Sequence, residues 1–422
     1  MGLHHAGLRC PIRTSSHLFV LAGAVVMLAG SAANAHDDDV RKILDAQPPV
    51  YGPVWTQGMA TQRGGGFDAS GITMLAHIPL NNFTGVNSVS GNDCWGYVSG
   101  TGREYAIMGL EGGYGFVEIT NPTSPVIVDT VTGPSSLWHD VKVVGDYAYG
   151  AIDGGWTEMY VHDAQVVTWD EGVHAGREIA FCAGGFSGGF SSTGLRIVDV
   201  SNPDNPFTLS TLFYPNAGYA HQVWLSTDRK YLYLNDELDE GSTVSVTTTR
   251  VINVEDLNNP VLVGTYTTGK AAVDHNLYTR DSVVYQANYR SGLRVFDALD
   301  PSNPVEVAHF DTYPGSDSAE FNGAWSSYPF FPSENIIISD IERGLFVVRL
   351  DADLLPMALG QAQPAPASIS PAGGEVLSVK TVVRDGVIIE SVDLMLNTGS
   401  GFAPIPATDN GDGTYSAILP GV

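Results

Sequence analysis

Lysine is the scarcest charge in this chain, with five residues in 422. Lys and Arg together number 20 against 46 Asp and Glu, a formal net charge of −26. So few positive side chains argue against nucleic acid or an anionic membrane surface as a partner, since both are bound through basic patches. Cysteine is nearly as rare, with three residues. Two cysteines cannot build a structural zinc site by themselves. Helical periodicity is almost missing, apart from a short helix-like piece around Asp37 to Ala46. The one long apolar run, Leu18 to Gly30, is about a dozen residues, too short to span a bilayer. No nucleophile motif, phosphate-binding loop or dinucleotide fingerprint is found.

The first 35 residues read as a secretory signal. Arg9 and Arg13 precede the apolar run, and Ala33-Asn34-Ala35 supplies a small-residue cleavage site. No cysteine directly follows the run, which argues against a lipid-anchored start. The expected product begins near His36, is exported, and carries 18 basic against 46 acidic side chains. Cys10 leaves with the signal, so Cys94 and Cys182 become candidates for one disulfide in an oxidising compartment.

Repetition dominates what remains. One phrase recurs as "FVEITNPTSPVIV", "GLRIVDVSNPDNPFTL", "TRVINVEDLNNPVLV" and "GLRVFDALDPSNPVEV", with "GLFVVRL" as a copy lacking its turn. Each is an alternating strand, a Pro-bounded Asn/Asp/Ser turn, and a second β-rich run. A second phrase precedes it, as in "YAYGAIDGG", "YLYLNDELDE" and "IIISDIERG". A third, opening on His or Asn, precedes that: "WHDVKV", "VHDAQV", "AHQVWL", "DHNLYTR" and "FNGAWS". Four strands in units of roughly 40 to 50 residues predict an all-β chain built as a β-propeller. Five to six blades are expected, one of them incomplete, because His139 and His162 stand only half a unit apart. "ITMLAHIPL" has no unit of its own and is expected to close the ring beside "GLFVVRL", removing an exposed edge.

The boundaries that follow are a signal at 1–35, an extension at 36–70, the propeller at 71–351, and a Pro/Ala/Gly-rich linker at 352–372. Residues 373–422 read as four or five short strands of an immunoglobulin-like β-sandwich. About seven are needed, so that domain is expected to continue beyond Val422.

Long phrases agreeing in order, among them "SSLWHDVKV", "AHQVWLSTDRKYLYLNDELDE", "DHNLYTRDSVVYQANYRSGLRVFD" and "FNGAWSSYPFFPS", resemble the secreted LVIVD-repeat propellers of the choice-of-anchor B family. The resemblance covers roughly residues 70–350. It implies an exported propeller held at the cell surface by a C-terminal device, and it implies no reaction. The chain departs from that pattern where "AIDGGWTEMY" runs straight into "VHDAQ", omitting most of a blade, and in lacking the anchor itself.

The first strand of a propeller blade starts at the face where the second strand ends. Asn92, His139, His162, His221, His275 and Asn322 are therefore expected to meet Glu111, Asp153, Asp236, Glu237, Asn288, Asp340 and Glu342 at one mouth of the channel. Of eleven histidines, His4, His5 and His17 lie in the signal, and four of the other eight fall at this repeat position. Three roles compete for them. Each ring can bond the neighbouring blade's backbone. His139, His162, His221 and His275 can ligate zinc, copper or, with carboxylates, calcium, the pair His139 and His162 foremost. A histidine oriented by Asp153 or Asp236 can also act as a general base. "NDELDE" at 235–240 is the densest acidic cluster, and "DNGDGTY" at 409 reads as a hairpin turn, not a calcium loop. Trp138, Trp224 and Trp325 read first as blade packing and second as sugar platforms. The expectation is a surface binding or interaction module for a protein or carbohydrate, with a metal-dependent hydrolase as the alternative.

Overall fold

A computed structural model describes residues 26–28, 42, 44–57, 67–152, 161–184, 193–351, 354, 358–359, 374, 376–382, 392–397, 402–411 and 414–420. Each repeat unit folds as one antiparallel sheet. The first blade is Gly91–Val98, Glu104–Leu110, Gly113–Glu118 and Val126–Thr132. The second is a half-blade, His139–Val144 with Tyr147–Ile152. Its outer edge pairs in parallel with Val26–Leu28. Four-stranded third and fourth blades run from Val161 to Leu212 and from Ala220 to Tyr266. The fifth runs from Asn276 to Asp311 and gains Asp68–Ser70 on its edge.

Ring closure follows the sequence pattern. Ile72–Ile78 pairs antiparallel with Gly344–Leu350, so the N-terminal segment completes the sixth blade behind Ala324–Tyr328 and Asn335–Asp340. Trp55–Thr56 then covers the outer edge of Ile72–Ile78. Gly344 suits this junction, with φ at +92° and with a built Cβ only 2.4 Å from the Ile78 carbonyl oxygen.

The recurring turn has one construction in four blades. Ser124, Asn205, Asn259 and Asn303 each donate a backbone N–H to the carbonyl three residues earlier, at 2.9 to 3.0 Å. The side chains of Asn202, Asp256 and Asp300 accept a further backbone N–H two residues on, the Asx pattern that makes Asn and Asp turn formers. The fourth strands are largely exposed or half-buried, while the inner strands of the first, fourth, fifth and sixth blades are mostly buried and those of the half-blade and third blade are more open.

Apolar cores fill the spaces between neighbouring sheets. Ile107, Tyr114 and Val141 join the first blade to the half-blade. Phe181, Leu195, Leu234 and Ile252 join the third to the fourth, and Tyr233, Leu277 and Phe296 join the fourth to the fifth. Further clusters join the fifth to the sixth and the sixth to the first. Among the described residues no such cluster joins the half-blade to the third blade, where Ala180, Cys182 and Val198 form only a small group.

The candidate disulfide does not form. Cys94 and Cys182 are both free and buried. Cys94 packs between the sixth and first blades, while Cys182 sits on the third. Burial raises both thiols, that of Cys182 to about 12. In the C-terminal region Val376–Val382, Thr414–Ile418 and two shorter strands form one sheet, and Asp393–Asn397 pairs with Phe402–Pro406. Among the described residues no helix is long and apolar enough to cross a membrane.

Candidate functional site at the channel mouth

The inner strands carry β-bulges at the mouth, where the register shifts around His162, His221 and Trp325. A bulge re-aims its extra side chain, and here it turns each of these inward from the ladder. Ala220 pairs with Asp236 and Ala324 with Asp340, which makes Trp325 the sixth-blade counterpart of His221. The expected counterpart, Asn322, lies three residues upstream. Its amide instead donates to Glu342 Oε1 at 2.8 Å and accepts from Arg290.

Three histidines form a relay around the ring. His162 Nδ1 bonds the carbonyl of His221 at 3.0 Å, His221 Nδ1 that of His275 at 3.3 Å, and His275 Nδ1 that of Trp325 at 2.6 Å. A carbonyl only accepts, so each Nδ1 carries the proton. His221 and His275 thereby have the tautomer that leaves Nε2 with a lone pair. Their rings lie 4.2 Å apart and both are almost fully buried. Burial drives both pKa values well below 6.5, which keeps the rings neutral.

Both Nε2 atoms face one carboxylate. His275 Nε2 stands 3.4 Å from Glu237 Oε1, and His221 Nε2 stands 3.7 Å from Oε2. Glu237 is wholly buried, at the end of the second strand of the fourth blade. Tyr289 donates its hydroxyl to Oε1 at 2.6 Å. Among the described residues neither His275 Nε2 nor Glu237 Oε2 has a hydrogen-bond partner. These three residues form the one His/Cys/Asp/Glu group among the described residues able to hold a metal ion, with ligand atoms within 4.8 Å of one another.

The fourth member of the site comes from the N-terminal extension. Lys42 Nζ lies 3.0 Å from Glu237 Oε1, and the lysine is 8% exposed. The ammonium sits over Trp325 at 4.9 Å, Phe321 at 5.5 Å, Trp138 at 5.8 Å and Tyr289 at 6.0 Å from the ring centroids. Four rings at that distance form a cation–π cage. The extension is tied down beside it. Phe321 N–H donates to Asp45 Oδ2, Asn322 Nδ2 to the Asp45 carbonyl at 2.8 Å, and Val50 N–H to the Glu342 carbonyl at 2.8 Å.

The other expected collar residues separate from this centre. Asp236 accepts from Gly218 N, Tyr219 N and the Tyr214 hydroxyl, which makes it a turn holder. Asp340 accepts from the N–H groups of Glu342 and Arg343 in the same way. Asn92 donates to the adjacent Gly91 carbonyl at 2.8 Å. His139 packs edge-on against Tyr114, 5.2 Å between centroids, and does not join the metal-type group. His139 opens the inner strand of the half-blade and His162 lies on that of the third blade; among the described residues the metal-type group contains His221 and His275 and neither of these two. Asp153 lies outside the described residues. Of the three tryptophans, Trp138 and Trp325 build the cage, while Trp224 packs against Tyr278 elsewhere. Sequence reasoning missed Lys42, Tyr289 and Phe321. The one signal for Lys42 was a lysine in the only helix-like stretch of an acidic chain.

The LVIVD repeat family model matches residues 189–211, which span the third strand of the third blade and its turn. That supports a repeat β-propeller family. No curated protein matches the chain. Similar solved structures include a structural-genomics protein from Lactobacillus plantarum, 13% identical, covering 77% of this chain and 84% of its own, at a TM-score of 0.34. The outer-coat vertex of COPII on membranes is 10% identical, with coverages of 74% and 80% and a TM-score of 0.36. A humanized Polycomb Repressive Complex 2 from Chaetomium thermophilum is 10% identical, with coverages of 76% and 65% and a TM-score of 0.33. Likeness at this level carries no ligand or partner over to this chain.

Proposed function

We propose that this chain is an exported β-propeller of the choice-of-anchor B type, acting as a surface binding module whose mouth recognises a cationic group. The leader-like start, with Arg9, Arg13 and Ala33-Asn34-Ala35, supports export. The strand pattern after residue 373 supports an immunoglobulin-like module behind the propeller. The observation that carries the binding role is the Lys42 ammonium, buried among four aromatic rings with Glu237 as its counter-ion. A desolvated charge is costly unless its surroundings are built for it, and this cage is built for an ammonium. In this reading Lys42 is the resident occupant, and the external ligand is a lysine side chain or quaternary amine presented by a surface partner.

The test empties the cage without removing the lysine stem. Lys42→Met should bind tetramethylammonium or Nα-acetyl-lysine methylamide by calorimetry, and the unaltered protein should bind them about tenfold or more weakly because Lys42 competes for the cage. Adding Trp325→Leu should abolish that binding. If Lys42→Met takes up neither amine while melting cooperatively, the cage is only a closure and the recognition role fails. A metal-dependent hydrolase is the second reading, favoured by one feature: His221, Glu237 and His275 are the donor kinds of hydrolytic zinc sites.

A further inference from the structure

We propose that His221 Nε2, His275 Nε2 and a Glu237 carboxylate oxygen form a transition-metal site, and that the metal and the Lys42 ammonium are alternative occupants, so that metal binding releases the N-terminal extension from the mouth. The inference rests on the donor set, independently of any amine the cage recognises.

Geometry is the first support. Donors about 2.1 Å from a tetrahedral zinc ion stand about 3.4 Å from one another. His275 Nε2 lies 3.4 Å from Oε1 and His221 Nε2 3.7 Å from Oε2, and one donor atom from each of the three residues lies within 4.8 Å of the others, so closing a shell on one ion takes a rearrangement on the order of an ångström. The outer contacts are the second. Metal-ligating histidines donate their other ring N–H to a carbonyl or carboxylate, which fixes tautomer and orientation. His221 and His275 already do so, to the carbonyls of His275 and Trp325. The third is lack of satisfaction, because His275 Nε2 and Glu237 Oε2 are buried without hydrogen-bond partners among the described residues. Buried polar atoms are normally paired, and two aimed at one point indicate something they receive. The donor types also choose the ion. Two imidazoles and one carboxylate suit zinc or copper, whereas calcium requires six to eight oxygens.

Lys42 sets the regulation. Its Nζ stands 3.0 Å from Glu237 Oε1, one of the two oxygens available to a metal. A dication and an ammonium in contact with the same carboxylate in a dry site repel strongly. One must leave, and the lysine can. It is held by a short segment docked through Asp45 and Val50, while the rest of the extension stays anchored by Trp55–Thr56 on the sixth blade.

The experiment uses the full chain without a His tag and Zn²⁺ as the probe. Equilibrium dialysis should find one zinc per chain in Lys42→Met, bound about tenfold or more tightly than in the unaltered protein, where the competent state is the minor one. Glu237→Gln introduced into Lys42→Met should lose the zinc, and His275→Gln should do the same if the first pair does not fold. In the unaltered protein, saturating Zn²⁺ should accelerate tryptic cleavage after Arg41 and Lys42. The proposal is overturned if Lys42→Met binds no zinc, or if Glu237→Gln retains it. Equal affinity in the two proteins with unchanged cleavage also overturns it, since metal and lysine then coexist. Binding of amines to Lys42→Met without zinc binding would refute this site and leave the cage intact.

Discussion

Gln222 follows a collar histidine directly, and its amide closes a cyclic pair with the next blade. Nε2 donates to the Leu277 carbonyl at 2.9 Å and Oε1 accepts from Leu277 N–H at 3.0 Å. The side chain is fully buried. Gln222→Ala strands both backbone groups of Leu277, so it should cost roughly 2–4 kcal/mol in a urea melt. A loss below about 0.5 kcal/mol, the level of a neutral surface change, would show that water or repacking replaces the amide. The same residue scale shows how far the sequence could be read. The recurrence of His221 and His275 marks the mouth, and "NDELDE" marks the carboxylate that faces them. Asn322 stands three residues before the register equivalent of His221, because a polar residue near a strand start is a weaker guide than strand register. A bulge shifts register without changing composition, so Trp325 was not visible as the equivalent of His221. Lys42 was invisible in that role because its partner is nearly 200 positions away and nothing local links the two.

At the scale of elements, His77 shows how closure depends on pH. It lies in Ile72–Ile78, the strand that shuts the ring, stacked on Phe346 with centroids 4.1 Å apart and bonded through Nε2 to the Arg343 carbonyl at 2.8 Å. Burial lowers its pKa from 6.5 to about 4. Between those values the unfolded chain binds the extra proton and the fold does not. Stability therefore falls as pH drops through that window, by about 1.4 kcal/mol per unit and about 3 kcal/mol in all. His77→Phe keeps the stack and removes the titration. Its urea-melt stability should decline less than that of the unaltered protein between pH 6.5 and 4. Equal acid slopes in the two would contradict the assignment. Strand order, closure and the four Pro-bounded turns, three of them of Asx type, were legible from alternation and from Asn and Asp beside Pro. The free state of Cys94 and Cys182 was not, because cysteine spacing carries no information about which blade interface each will fill.

For the whole molecule, the shortage of lysine acquires a meaning that composition alone did not give it. One of five lysines is withdrawn from the surface and placed at the centre of the ring, facing the buried Glu237. Around it, neutral histidines, a Tyr hydroxyl and four aromatic rings gather at the mouth. Among the described residues no large apolar core joins the half-blade to the third blade, and strands of the extension add to the edges of the fifth and sixth blades. The account therefore stands on one placement, that of the Lys42 amine within the mouth. Acetylation of the native protein, followed by mass spectrometry of each lysine, measures it directly. The Lys42 side chain is 6% exposed, against 51% for Lys230 and 41% for Lys270. The account predicts that Lys42 reacts on the order of tenfold or more slowly than those two, through local opening of the extension. Labelling of Lys42 at the same rate as Lys230 would mean that the mouth is not closed by its own lysine, and the account would fall.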